Sequence, residues 1–329
     1  MRKTILLTVF LLSVASFGQV ARKRVVKLMG SRFDITMVAK NEASANAYID
    51  TAIAEITRIE NLISDWIPTT QVSQINKNAG IKPVKVDKEL FELTKRAIAF
   101  SKLTDGAFDI SYASLDKIWI FDGSMTELPS AEAIKKSVEK VGYKNIIMDE
   151  AKQTIFLKLP GMKIGFGSIG KGYAADKTKE VMMKKGVKAG IVNASGDMNT
   201  WGTQPDGKKW TIGITNPFND NKTFASFPLE NNAVVTSGTY EKYVMFDGQK
   251  YSHIIDTRTG YPAKGLASVT VFATSAELAN GLSTAIIVMG EEVGMNLINQ
   301  LPDISCVMVN DEGKIFTSKN IDLKTKKVE

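Results

Sequence analysis

The chain has 329 residues, of which 44% are hydrophobic and 23% charged. That composition supports a sizeable folded body and excludes a disordered or collagen-like chain. The formal charge of +7 is mild for this length and gives no argument for nucleic acid, while the single cysteine, Cys306, excludes an internal disulfide and a multi-cysteine metal site.

Arg2 and Lys3 precede an apolar run over residues 5–14, and the small residues Ser16 and Gly18 follow. This is the layout of a cleaved export signal, and the run is too short to cross a bilayer comfortably. Cleavage is expected after Gly18, which leaves residues 19–329 as one body that does not span the membrane. Those first eighteen residues hold two basic residues and no acidic one, so the remainder carries +5. Export without disulfides suits a bacterial-type envelope or periplasm.

Residues 24–39 read as strand, interrupted at Met29-Gly30-Ser31. Ile49, Ala52, Ile53, Ile56, Ile59, Leu62 and Ile63 then recur on one face, the pattern of an amphipathic helix. A loop through Ser64-Asp65-Trp66 leads to Val72, Ile75 and Asn76. Asp87 is placed to cap a helix carrying Leu90, Phe91, Leu93, Ala97 and Ile98. A turn at Thr104 to Ser111 contains Ala107-Phe108-Asp109, and a further helix is expected after Pro129 and Ser130. Residues 146–148 and 155–157 flank a turn and read as a hairpin. Strands dominate from Trp210 to Phe272. Two helices follow, over residues 275–289 and 291–301, then a last hairpin and a basic tail from Lys319 that is expected to fray. Helices and strands mix without strict alternation, so the expected class is α+β with largely antiparallel sheets, two lobes flanking a cleft.

The stretch Lys163-Ile164-Gly165-Phe166-Gly167-Ser168-Ile169-Gly170-Lys171-Gly172 starts as an apolar strand-like run and passes into a helix-like segment. Four glycines and a lysine in eight residues suit a phosphate at a helix start, where backbone N–H groups and the positive helix end meet. The pattern is neither the Walker nor the dinucleotide fingerprint, and such a turn also occurs with no ligand. His253 is the sole histidine and opens the run His253-Ile254-Ile255-Asp256-Thr257-Arg258-Thr259-Gly260. A neutral imidazole there can take a proton from a hydroxyl, but no G-x-S-x-G elbow accompanies it, which disfavours a Ser-His-Asp hydrolase. Asn280 and Thr284 lie four apart, so a helix puts both oxygens on one face. That pair suits a hard cation, and equally suits two polar residues bonded locally. Trp66 beside Asp65, and Phe108 beside Asp109, each place an aromatic next to a carboxylate.

Taken in order, these stretches resemble the ApbE family, the FAD:protein FMN transferases, across almost all of residues 19–329. The resemblance implies an α+β protein binding FAD in a cleft between lobes. With Mg²⁺, it would split the FAD pyrophosphate, transfer FMN to a threonine hydroxyl of a target protein and release AMP. The acceptor would carry a threonine flavinylation motif and belong to a membrane redox complex. By position, Met29, Trp66, Ala107, Phe108, Asp109, Lys171, His253 and Ile254 would line the FAD site. The backbone carbonyl of Ser168 and the side chains of Asn280 and Thr284 would hold the metal, and His253 would help deprotonate the acceptor. Two departures stand out: the family usually has Asp at the positions of Asn280 and Gly165. The first predicts weaker Mg²⁺ binding; the second removes a carboxylate near the FAD. A flavin carrier without turnover and an FAD pyrophosphatase giving FMN and AMP are the competing expectations.

Overall fold

The computed structural model describes residues 18–321. The expected leader lies outside that range except for Gly18, and so does most of the basic tail.

The chain opens with two antiparallel strands, β1 (Val20–Leu28) and β2 (Ser31–Ala39). The turn between them is tight, with Met29 at φ 49° and Gly30 at φ 68°. Two positive φ values in a two-residue loop match the twist of a hairpin. Next comes α1 (Glu42–Ile63), whose Asn41 side chain accepts from the Ser44 N–H. Ala45, Ile49, Ala52, Ile56, Ile59 and Ile63 form its buried face, at the expected helical spacing.

A short helix, α2 (Gln71–Lys77), and a two-residue strand, β3 (Val84–Lys85), precede α3 (Lys88–Leu103). The predicted cap at Asp87 is in the right place but does a different job. Its carboxylate makes no bond to the helix N–H groups and instead accepts from Gln71 Nε2 at 2.6 Å. After α4 (Ala131–Ser137) come the expected hairpin strands β4 (Ile146–Asp149) and β5 (Thr154–Leu157), which form a small sheet with β3.

The remaining elements build the body. They are α5 (Gly170–Lys184), β6 (Ala189–Ala194), β7 (Asp197–Trp201), β8 (Trp210–Asn216), β9 (Asn219–Leu229), β10 (Ala233–Gly238), β11 (Tyr243–Phe246), β12 (Gln249–Ser252), β13 (Leu266–Ala273), α6 (Ala276–Met289), α7 (Glu291–Ile298), β14 (Ser305–Asn310) and β15 (Ile315–Thr317). Eight strands make one antiparallel sheet in the order β1-β2-β6-β7-β10-β13-β14-β15. Helices α1, α5 and α6 pack on it, and the β8–β9 hairpin supplies Ile214 and Leu229 to a second cluster with Val234, Phe272 and Val307. Covered on both faces, β13 is buried at all eight positions and reads as a continuous apolar run rather than an alternating one. The architecture is α+β, as expected. Among the described residues no helix is long and apolar enough to cross a membrane.

Candidate functional site

A cleft of about 940 Å³ opens between the main body and the segments following α1 and α3. One wall carries Asp65, Trp66, Ala107, Phe108, Asp109 and Tyr112. The other carries Ser168, Lys171, Asp197, His253, Asn280 and Thr284. Residues scattered over most of the sequence therefore converge on one concave surface of the size that takes a large cofactor.

The glycine-rich stretch behaves differently from its sequence reading. Residues 162–166 pair with no strand. The Ile164 N–H and carbonyl are both bonded by the Asn76 side chain, at 2.8 and 3.0 Å. The Lys163 N–H goes to Ser114 Oγ and the Gly165 N–H to the Ile110 carbonyl. None of the four glycines has positive φ. What they supply is room: a Cβ at Gly172 would stand 2.2 Å from the Ala276 carbonyl, one at Gly170 2.6 Å from Ile63, and one at Gly167 2.5 Å from the Tyr112 hydroxyl. The N–H groups of Gly165, Gly167 and Gly170 are already bonded. The part of the loop left for an anion is the first turn of α5, with Lys171 and the positive helix end.

Lys171 Nζ lies 2.9 Å from Asp197 Oδ2. Asp197 is buried, and burial pushes its carboxyl up to about 6 despite the opposing pull of Lys171. The contact is a close ion pair, and it holds Lys171 at the cleft. Asp197 is not among the residues singled out from the sequence; its partner on α5 is what makes it part of the site.

His253 Nδ1 lies 3.1 Å from the Lys242 carbonyl, which can only accept. Nδ1 therefore carries the proton, and Nε2 keeps a lone pair. Burial lowers the imidazole pKa, outweighing the bond to Lys242 and the charge of Glu241. The ring is a neutral base with a fixed tautomer. Ile254 follows it on the cleft wall.

On the opposite wall Trp66 is 78% exposed, with Lys117 Nζ 4.8 Å from its ring centroid. Phe108 differs from Trp66: its ring is in the core, 5.7 Å from that of Phe100, and offers no stacking face. Asp109 is also committed internally. Its carboxylate accepts from the Ser111 N–H, the Ser111 hydroxyl and the Tyr143 N–H. Ala107 lines the cleft beside them. Met29 is not among the lining residues; its N–H donates to Glu60, and its side chain reaches toward Gly170 beneath the α5 start.

A sequence model of the ApbE family matches residues 29–308. The chain belongs to the ApbE family. It is 33% identical over 293 residues to an FAD:protein FMN transferase of Klebsiella pneumoniae, covering 88% of this chain and 90% of that one. An FAD:protein FMN transferase of Treponema pallidum is 26% identical over 335 residues, covering 96% and 92%. Among solved structures, the ApbE protein of Thermotoga maritima superposes with a TM-score of 0.83 at 32% identity, covering 91% of this chain and 97% of that one. The flavin transferase ApbE of Vibrio cholerae gives 0.81 at 25% identity, covering 92% and 98%.

Within this ApbE fold, α5 and α6 are pinned together by Asp176. Its carboxylate accepts from the Ser275 hydroxyl at 2.6 Å and from the Ala276 and Glu277 N–H groups at 2.8 and 3.0 Å. An anion at a helix start satisfies orphan donors and the helix dipole together. The clamp sets α6, and with it Asn280 and Thr284, against the helix that carries Lys171. Asn280 Oδ1 is buried and has no hydrogen-bond partner among the described residues. A buried acceptor without a partner costs about 1–3 kcal/mol, so this oxygen is free to take a ligand or a water in the cleft. The Thr284 hydroxyl makes only a 3.5 Å contact to Ser237, and among the described residues none donates to the Ser168 carbonyl. Three oxygen donors with spare acceptor capacity fit a hard divalent cation. All three are uncharged, and no group of three His, Cys, Asp or Glu residues able to hold a metal occurs among the described residues.

Proposed function

We propose that this chain is an FAD:protein FMN transferase that uses Mg²⁺, moves FMN to a threonine hydroxyl of an acceptor protein and releases AMP. The observation that carries the reading is the unpartnered Asn280 oxygen, in the same cleft as Lys171 and the neutral His253. The names of the relatives point the same way.

Phosphoryl transfer depends on positioning and charge neutralisation more than on covalent chemistry from the protein. Lys171 and the start of α5 offset the pyrophosphate charge. Ser168, Asn280 and Thr284 would hold the cation, which supplies further neutralisation when bound. The threonine oxygen attacks the FMN phosphorus, and the bond from that phosphorus to the bridging oxygen breaks. The bridging oxygen leaves with AMP. His253 Nε2 takes the threonine proton, a role its fixed tautomer allows. The acceptor is a protein exposed to the same envelope compartment, and a subunit of a membrane redox complex fits the resemblance.

The test is to incubate the purified protein with FAD, Mg²⁺ and an acceptor domain bearing a threonine flavinylation motif. AMP release together with covalent flavin on the acceptor is the expected result. AMP without labelling would replace transfer by pyrophosphatase activity. Intact FAD retained by the protein, with neither product, would leave a flavin carrier.

A further inference from the structure

Asp65 is a carboxylate in the cleft with no assigned task. It is half-buried in the loop after α1, and burial raises its pKa against a hydrogen bond from its own backbone N–H and the pull of Lys163 and Lys117. Among the described residues, no other residue donates a hydrogen bond to that carboxylate. Its position is tied to a missing side chain elsewhere: a Cβ at Gly165 would stand 3.2 Å from the Ala113 Cβ and 3.3 Å from both Asp65 Oδ2 and the Tyr112 hydroxyl. Gly165 itself is held from behind, its N–H bonded to the Ile110 carbonyl. A side chain at residue 165 would therefore project into the space that Asp65 fills. The neighbouring Trp66 is 78% exposed and lines the same part of the cleft. A largely exposed indole beside a carboxylate that accepts only from its own backbone N–H among the described residues matches a flat ligand that carries N–H groups at its edge.

We infer that Asp65 reads a planar nitrogen heterocycle of the substrate, accepting its N–H hydrogen bonds while the ring stacks on Trp66, and that Gly165 is glycine so that this carboxylate can enter. The inference rests on the proposed function, since FAD provides the heterocycle. Two parts of FAD share the chemistry: the amino group of adenine and the imide N–H of the isoalloxazine.

The experiment measures binding without turnover. Wild type, Asp65→Asn, Gly165→Asp and the double variant Asp65→Gly/Gly165→Asp are titrated with FAD, AMP and FMN separately, following flavin fluorescence or heat. Asp65→Asn keeps the shape, and a lost hydrogen bond to a charged acceptor should weaken FAD by about tenfold or more. A matching loss with AMP alone assigns the adenine, and a loss with FMN alone assigns the isoalloxazine. The unaffected half then reports that the cleft is intact. Gly165→Asp crowds two carboxylates and should also bind worse, whereas the double variant moves the carboxylate across and should recover most of the affinity lost in Asp65→Asn. Equal binding of all three ligands by wild type and Asp65→Asn would overturn the inference while leaving the transferase reading in place. A double variant no better than Gly165→Asp would overturn the exchange of positions. A wild type that does not bind FAD would overturn the proposed function itself.

Discussion

Lys171 and Asp197 face each other at 2.9 Å across the start of α5 and the start of β7, the carboxylate buried and the ammonium reaching the cleft. The pair couples the charge at the start of α5 to pH. Asp197 titrates near 6 in the folded protein, above the ordinary Asp value. The folded state therefore binds this proton more readily than the unfolded state, and protonation stabilises the fold as pH falls through about 6 toward 4. Asp197→Asn removes that titration. The melting temperature of wild type relative to Asp197→Asn should rise as pH drops from 7 to 4, measured by calorimetry at several pH values. A difference that stays flat with pH would show that Asp197 is not raised.

His253 makes a prediction of the opposite sign for activity. Its pKa is lowered, so the neutral base survives below the usual histidine range. The acid limb of the single-turnover rate of AMP release should fall below pH ~6.5. His253→Gln should cut the rate by about 10²–10⁴-fold and leave FAD affinity within a few-fold. A variant that loses FAD binding and rate equally would make His253 a binding group instead.

Much of this site was legible in the chain, and what was missed has physical causes. The face of α1 and the two hairpin strands of residues 146–157 follow from side-chain periodicity, which is local. The run before α5 looked like a strand because it is apolar, yet its bonds come from Asn76, Ser114 and Ile110, far away in sequence. Trp66 and Phe108 carried the same local signal, an aromatic beside a carboxylate. Only packing separates them, since Phe108 meets Phe100 in the core while Trp66 meets solvent. Asp176 is a clamp on α6 that no local pattern announces, because its partners lie about a hundred residues later. Asp197 gained its meaning only from Lys171.

Asn280 should respond in opposite directions to two substitutions. Asn280→Asp adds a negative charge to an uncharged donor set and should lower the Mg²⁺ concentration for half-maximal activity, on the order of tenfold. The same change buries a carboxylate beside no cation when metal is absent, so its melting temperature should be below wild type in chelator and recover on adding Mg²⁺. Asn280→Ala should weaken the metal requirement's saturation in the other direction and gain nothing from Mg²⁺ in a melt. Identical Mg²⁺ dependence in all three proteins would remove Asn280 from the metal site.

Two glycines near the α5–α6 contact should answer alanine with opposite signs. At Gly172 a Cβ would meet the Ala276 carbonyl at 2.2 Å and the Glu277 N at 2.9 Å, both backbone atoms that cannot swing aside. The helices must part, at about 1–3 kcal/mol, which exceeds the gain of up to about 1 kcal/mol from replacing a helical glycine. Because Lys171 is adjacent to Gly172, and Asn280 and Thr284 ride on α6, turnover should fall along with stability. At Gly281 the nearest atoms belong to the Phe100 ring at 3.5 Å, an ordinary contact. There the helix propensity term acts alone, and Gly281→Ala should stabilise by about 0.5–1 kcal/mol. Denaturant unfolding of the two variants checks both signs, and a Gly172→Ala protein as stable as wild type would show that the α5–α6 approach is softer than its geometry implies.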